Sequence, residues 1–146
     1  MNRGALLIDL LTVVYFLVSA VISNAHGDDL LSNYETGDKE FKRVEIGDRI
    51  VYWHQRLIDG AIVEKDFIVY QFDRKSTKIL SKKTHWREGL PERISTKITK
   101  EQAESMVEGE VQYNQLIIIS PESDIFPIKP TPDNPCWVIG SSDKGE

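Results

Sequence analysis

The pattern of apolar and polar residues divides the chain into three parts. An apolar run from Leu10 to Ile22 comes first and is interrupted only by Thr12 and Ser19. A polar, acid-rich stretch over residues 26–47 follows and predicts a flexible lead-in that closes with a short strand around residues 41–44. From residue 48 onward, β-branched and aromatic residues recur in short runs between turn residues, which is typical of strands.

Three of these runs are consecutive. Residues 50–58 are β-branched and aromatic and end at Asp59-Gly60, a dipeptide typical of a hairpin turn. In the run over residues 67–72, side chains of a strand would alternate between the two faces, so that Ile68, Tyr70 and Phe72 share one face. A third run begins at residue 79 and extends toward Trp86. Short polar connections between the three runs predict an antiparallel meander.

A short helix is predicted over residues 100–108. Thr99 is a suitable N-cap, and Gln102 completes a capping box with it. An apolar stripe at i, i+3 and i+4 spacing consists of Ala103, Met106 and Val107. Gly109 then provides a C-cap residue that tolerates the left-handed conformation.

The C-terminal part returns to strand-like patterns. Residues 116–119 predict a buried strand, and five of the six prolines lie in residues 121–135, which predicts an extended loop. Residues 136–139 predict a last strand before a polar tail over residues 141–146. The predicted fold class is therefore α+β, an antiparallel sheet of about five strands packed against one short helix, in a domain over residues 48–140.

The N-terminal segment has the features of an export signal. Arg3 provides a basic start, and Ser23-Asn24-Ala25 matches the small-x-small pattern that predicts cleavage between Ala25 and His26. The apolar run of about 13 residues suits a signal peptide, since a membrane span needs about 20. Residues 5–8 lengthen it enough for an uncleaved anchor, so that both interpretations of residues 1–25 stay open. Either way, we expect the protein to be secreted or held at the outer face of the cytoplasmic membrane.

Charge and cysteine content narrow the function classes. The net charge is −5, which argues against a nucleic-acid surface, because such surfaces need clustered Lys and Arg. Contact with a membrane is expected only through the N-terminal segment, if it stays uncleaved. Cys136 is the single cysteine, so the chain forms no internal disulfide.

The sequence predicts a protein that is not an enzyme and uses no cofactor or metal. It has no glycine-rich phosphate loop, no His-Glu-x-x-His, no Cys-x-x-Cys and no Gly-x-Ser-x-Gly. Cys136 with His85 could form a nucleophile and base, but a small residue entering a predicted strand is typical of a buried position. Glu101, Glu104 and Glu108 would share a helix face, without the carbonyl ligands that a calcium site requires.

Trp86 and Arg87 are the candidate contacts for a partner. Trp53 and Trp137 lie within predicted strands, where burial of the large ring explains them. Trp86 lies where a strand gives way to a loop, and a half-exposed tryptophan there is a plausible binding residue. Packing of Trp86 in the core is the alternative.

Most of the chain resembles the PepSY and FTP-type modules found in propeptides of secreted peptidases. The matching residues are Gln55, the corner 58–63, the strand and turn 66–73, the helix start 98–103 and the Trp-Val strand 135–139. Together they span about residues 45–140. The resemblance implies a strand, a corner, an apolar strand, an Asp-led turn and a return strand.

The resemblance also implies a function. Such modules are non-catalytic and bind, chaperone or inhibit a secreted peptidase. In the family a further strand with an Asp-x-x-Thr-Gly turn follows the Trp-Val strand, whereas this sequence stops at Glu146. A free-standing short variant and a prodomain remnant of a longer precursor are both open. The alternative is a structural or small-ligand-binding domain of the cell envelope, with or without a membrane anchor.

Overall fold

A computed structural model describes residues 23–24 and 30–142. The predicted signal segment, apart from the backbone of residues 23–24, lies outside the described residues, as do the cleavage site at Ala25 and His26 and the last four residues. The described elements are β1 (Ser23–Asn24), β2 (Lys42–Ile46), β3 (Arg49–Ile58), β4 (Ala61–Asp73), β5 (Ile79–His85), α1 (Lys100–Glu104), β6 (Glu110–Ile118) and β7 (Cys136–Ser142). Within these ranges, no helix is both long and apolar enough to cross a membrane.

The strands form a mixed sheet. Their hydrogen-bonded order is β1-β2-β3-β4-β6-β7, and β5 pairs with β4. Strands β6 and β7 are antiparallel, whereas β4 and β6 are parallel, with Ile62 opposite Ile117. The expectation of a sheet-dominated fold with one short helix is confirmed, but the expectation of a purely antiparallel sheet is wrong. The long connection over residues 86–109 reverses the chain before β6 begins, and parallel pairing requires such a connection.

The turn at Asp59 and Gly60 joins β3 to β4. Both residues have positive φ, 46° and 82°, as a type I′ hairpin turn requires. The predicted hairpin is therefore confirmed. Strand β4 begins at Ala61, six residues earlier than the alternation starting at Phe67 predicts.

The chain divides into two compact units, each built from two separate stretches of sequence. Among the described residues, the first consists of 23–24, 30–54 and Phe67–Thr84, and the second of Gln55–Asp66 and 85–142. Strands β3 and β4 therefore contribute residues to both units.

The first unit has an aromatic core. Its buried members are Phe41, Ile50, Tyr52, Tyr70 and Phe72, against which Leu30, Leu31, Tyr34 and Ile68 pack. The Tyr52 and Phe72 rings meet edge to face, with centroids 5.7 Å apart at 89°. Strand β2 pairs with β3, placing Val44 opposite Val51. The acid-rich stretch before residue 48 thus contributes a strand and Phe41 to this unit.

Replacing Phe72 with alanine should destabilise the protein by about 3–5 kcal/mol, because the ring is almost fully buried and leaves a cavity. Ile46→Ala is the matched control, since Ile46 is 53% exposed and its loss should cost less than about 1 kcal/mol. Urea unfolding measures both changes. Equal losses for the two variants would show that the aromatic cluster does not stabilise the unit.

The turn between β4 and β5 is organised by Asp73. The carboxylate Oδ1 accepts hydrogen bonds from the Ser76 hydroxyl at 2.6 Å and from the Ser76 backbone N–H at 2.7 Å. The Asp73 N–H donates to the Lys78 carbonyl at 2.8 Å, which closes the hairpin. Hydrogen bonding by the Ser76 hydroxyl, and then by its N–H, lowers the pKa of Asp73 below its usual range.

We expect the stabilisation from Asp73 to depend on pH in a defined direction. Because the folded-state pKa of Asp73 is depressed, the contribution is present above the unfolded pKa of about 3.9 and is lost as the pH falls through the folded value. A carboxyl ¹³C NMR titration should place the pKa of Asp73 below 3.9 and should shift it upward in Ser76→Ala. Titration of the native protein at or above the usual value would contradict this assignment.

The second unit has its own aliphatic core. Its buried members are Ile58, Ala61, Val63, Leu116 and Ile118, and the half-buried Leu90, Ile94 and Trp137 pack against them. The Trp137 indole N–H donates to the Ile98 carbonyl at 3.1 Å, which joins β7 to the segment before α1.

Helix α1 has the predicted start and a shorter end. The Thr99 hydroxyl accepts from the Gln102 N–H, and the Gln102 side chain accepts from the Thr99 N–H, so that the capping box is confirmed. The helix ends at Glu104 and not at residue 108. Because the helical spacing stops there, Ala103 is buried while Met106 is 72% exposed. The predicted apolar stripe is therefore wrong at Met106.

Candidate functional site

Two buried acidic residues lie on either side of an irregularity in β4. Lys65 has a φ of 63°, in the left-handed region that a non-glycine residue seldom adopts. Uninterrupted alternation would bury Lys65 after Val63 and place its two neighbours on the other face. Glu64 and Asp66 are buried instead, with 3% and 0% of their surface exposed. Such backbone outliers occur at functional sites more often than elsewhere.

The Asp66 carboxylate is bound by two arginines. Its Oδ2 accepts from Arg56 Nη1 and from the Arg87 backbone N–H, both at 3.0 Å. Its Oδ1 accepts from Arg87 Nε at 2.7 Å. A carboxylate taken fully out of water is tolerated only with such paired and hydrogen-bonded partners. The two guanidinium groups therefore account for the burial of Asp66.

The same side chains also bind the irregular backbone of β4. Arg87 Nη2 donates to the Glu64 carbonyl at 2.9 Å, and Arg56 Nη1 donates to the Arg87 carbonyl at 2.6 Å. Gln55 Nε2 donates to the Val63 and Asp66 carbonyls, both at 2.7 Å. We call Gln55, Arg56, Asp66 and Arg87 the Asp66 cluster. It supplies donors to carbonyl groups beside the Lys65 irregularity.

Glu64 connects β4 to the proline-rich loop. Its Oε2 accepts from the Ser120 N–H at 2.8 Å, and its Oε1 accepts from the Ser123 hydroxyl at 2.7 Å. Lys65 donates to the Glu122 carbonyl and forms an ion pair with Asp124 at 2.9 Å. The first turn of the loop is therefore held by two consecutive residues of β4.

His85 lies between two carboxylates. Its Nδ1 is 3.6 Å from Asp66 Oδ1, and its Nε2 is 3.8 Å from Glu122 Oε2. Both distances are longer than an ordinary hydrogen bond, and an ion pair exists only while the imidazole is protonated.

Trp86 presents part of its ring to solvent beside the Asp66 cluster. The side chain is 37% exposed, and the Arg56 guanidinium carbon lies 4.8 Å from the ring centroid. This cation–π stack restricts the ring, because Arg56 is itself bound to Asp66. Of the two predicted contact residues, Trp86 is the more exposed, whereas Arg87 has 18% of its side chain exposed and is bound within the cluster.

Sequence reasoning missed Arg56, Glu64 and Asp66. A usable signal was present, since Glu64 and Asp66 interrupt a strand that is otherwise largely apolar. A charged residue inside such a strand needs a partner, but the sequence does not identify it, because Arg56 and Arg87 lie 10 and 21 residues away from Asp66.

The side chains that the sequence offered for catalysis or metal binding have separate contacts in the structure. Cys136 is half-buried and lies opposite Ile117 in the β6–β7 pair, while His85 lies against Asp66 and Glu122. In the described part of the chain, no three His, Cys, Asp or Glu side chains are grouped so that they could hold a metal ion. Glu104, one of the helix carboxylates, accepts instead from Asn114 Nδ2 at 2.9 Å.

An apolar cleft of about 490 Å³ lies between α1 and β7 in the second unit. Its main apolar lining consists of Ile98, Ala103, Met106, Val107, Trp137 and Ile139. A volume of this size is within the range of small-molecule sites.

Comparison with protein-family models, with curated proteins and with solved structures finds no match to this chain. The resemblance over residues 45–140 therefore stays a prediction. The Asp66 cluster and Trp86 are the features from which a function can be inferred.

Replacing Asp66 with asparagine should destabilise the protein by about 3–5 kcal/mol, because it leaves two largely buried guanidinium groups without their counter-charge. Asp124→Asn removes a carboxylate that is 89% exposed and should cost less than about 1 kcal/mol. Urea unfolding at neutral pH compares the two variants. Similar small effects would contradict the role assigned to Asp66.

Proposed function

We propose that this chain is an exported, non-catalytic module that binds another protein through a surface centred on Trp86. The observation that carries the proposal is the stack of the half-exposed Trp86 ring on the Arg56 guanidinium. Trp and Arg are the residue types that most often dominate the energy of protein interfaces. A ring held before binding loses less conformational entropy when the partner arrives.

The Asp66 cluster supports this proposal by explaining why the ring is held. Asp66 binds Arg56, and Arg56 lies over Trp86 while it also donates to the carbonyl of Arg87. The tryptophan thus stacks on Arg56, which is bound to the buried carboxylate, and it directly precedes Arg87, which is bound to the same group. A merely solvent-exposed tryptophan would lack this support.

We propose a secreted peptidase as the partner, which the module binds, chaperones or inhibits. The supporting features are the resemblance of residues 45–140 to PepSY and FTP-type propeptide modules and the export signal in residues 1–25. The α+β arrangement of that family, with α1 packed on the sheet, belongs to the same proposal. Its support is the buried Ala103 and the Glu104–Asn114 hydrogen bond.

A second candidate is small-ligand binding in the cell envelope, which the cleft beside α1 favours. Its lining is mostly apolar and includes Trp137, so that an occupant would change the emission of that indole. The two candidates differ in their dependence on Trp86, since that residue is not among those lining the cleft.

Trp86→Ala should weaken binding to a peptidase exported by the same organism at least about 30-fold, the equivalent of a hot-spot loss of about 2 kcal/mol. Trp86→Phe keeps an aromatic face and should weaken binding less. Biolayer interferometry measures Kd, and hydrolysis of a fluorogenic peptide reports whether binding inhibits the enzyme.

Ile128→Ala is the matched control, because Ile128 is 48% exposed and lies on the proline-rich loop. We expect its Kd to stay within about twofold of the native value. Failure to bind any co-exported peptidase would contradict the proposed partner. Binding that Trp86→Ala leaves unchanged would contradict the proposed surface.

A further inference from the structure

The segment that forms the turn before β5 and most of β5 is unusually basic. Five of the eleven residues from 74 to 84 are Lys or Arg and none is acidic, although the chain as a whole carries a net charge of −5. Arg74 forms an ion pair with Glu45 at 2.7 Å. The other four cations are Lys75, Lys78, Lys82 and Lys83, so that positive charge is concentrated along β5 and its turn.

Apolar side chains are exposed at the start of the same strand. Ile79 is 41% exposed and Leu80 is 52% exposed. Most residues of β5 are exposed along its length. Consecutive residues of a strand point to opposite faces, so that each face carries one exposed apolar residue and one lysine.

Strand β5 also has an edge that no strand covers among the residues described. It pairs with β4 and lies off the path that connects the other strands. An uncovered edge presents backbone N–H and C=O groups that can pair with an extended segment of another chain. Strand addition uses these groups for affinity and the side chains on either side for selectivity.

Lysines on an edge strand are also a common protection against unwanted pairing. Protection alone accounts for Lys82 and Lys83 but does not account for Ile79 and Leu80, which would favour association. The combination of an uncovered edge, an exposed apolar pair and a basic segment without acidic residues is complementary to a particular ligand. That ligand is an extended segment with acidic residues next to apolar ones.

We propose that the β5 edge binds an acidic, extended segment of a partner protein by strand addition. Acidic residues of that segment would lie opposite Lys82 and Lys83, and apolar residues opposite Ile79 and Leu80. An anionic membrane would satisfy the lysines but would make no use of the directional backbone groups of the edge. The proposal uses none of the observations made at Trp86, so that it does not depend on the function proposed above.

The test uses a fluorescein-labelled, C-terminally amidated peptide, Thr-Glu-Glu-Thr-Val-Val, which places acidic and apolar pairs in antiparallel register with β5. The purified protein should bind it with a Kd that rises as salt is added, because the charges are exposed. Lys82→Glu together with Lys83→Glu should raise the Kd at least about tenfold. Lys129→Glu, an exposed control on the proline-rich loop, should change it less than about twofold.

Hydrogen exchange separates strand addition from unspecific attraction. Saturating peptide should slow exchange of backbone amides in residues 79–85, and Thr-Lys-Lys-Thr-Val-Val should not. Amide NMR spectra establish that each variant is folded, and Lys82→Gln with Lys83→Gln replaces the charge reversal if that variant unfolds.

Three results would overturn the proposal. One is the absence of peptide binding at low salt, and another is binding that the double charge reversal leaves unchanged. The third is binding to phosphatidylglycerol vesicles that depends on Lys82 and Lys83 while the peptide gives no exchange protection. That last result would assign the basic segment to a membrane surface.

Discussion

The burial of one charge organises the second unit. Asp66 is completely removed from solvent, and a carboxylate in that position is costly unless opposite charges and hydrogen-bond donors surround it. Arg56 and Arg87 supply both, from β3 and from the residues that follow β5. The positions of three separate stretches of this unit are thus coupled to a single side chain. The strained residue Lys65 lies between Asp66 and Glu64. Gln55 and Arg87 donate hydrogen bonds to the carbonyl groups around it.

One of the arginines that neutralise the buried carboxylate also contacts an exposed aromatic side chain. Arg56 is needed to neutralise Asp66, and its guanidinium also lies over the half-exposed ring of Trp86. The ring is therefore presented to solvent in a restricted position. That property, together with the predicted export signal and the predicted propeptide-like pattern, supports the proposal of a binding module. The β5 edge in the first unit has a different character, since its features are basic charge, exposed aliphatic residues and uncovered backbone groups.

Local signals in the sequence predict local structure well here. The Asp59-Gly60 turn and the Thr99–Gln102 capping box depend on a few neighbouring residues, and both are present as predicted. The parallel pairing of β4 with β6 depends on a long connection, and the hydrophobic pattern carries no information on strand direction. The early end of α1 could not be predicted, because Met106 and Val107 keep the apolar spacing of a helix in the sequence although the helix has already ended at Glu104.

The candidate site shows the same difference between features set by neighbouring residues and features set by distant ones. Trp86 could be selected from its position at the end of a strand, but the Asp66 cluster could not be assembled from sequence. Its members are separated along the chain, and Lys65 changes which residues of β4 are buried. The two acids inside an apolar strand indicate that partners exist without identifying them. Only the structure shows that Arg87 binds Asp66, because in the sequence Arg87 is simply a basic residue beside a tryptophan.

Asp66 and Arg87 should be energetically coupled, and a double-mutant cycle measures this coupling. The free energies of unfolding of the native protein, Asp66→Ala, Arg87→Ala and the double variant give the coupling energy without assigning the separate cost of each truncation. We expect a coupling of about 2–3 kcal/mol for this pair, against less than about 1 kcal/mol for the exposed Lys65–Asp124 pair measured in the same way. A coupling near zero for Asp66 and Arg87 would contradict it.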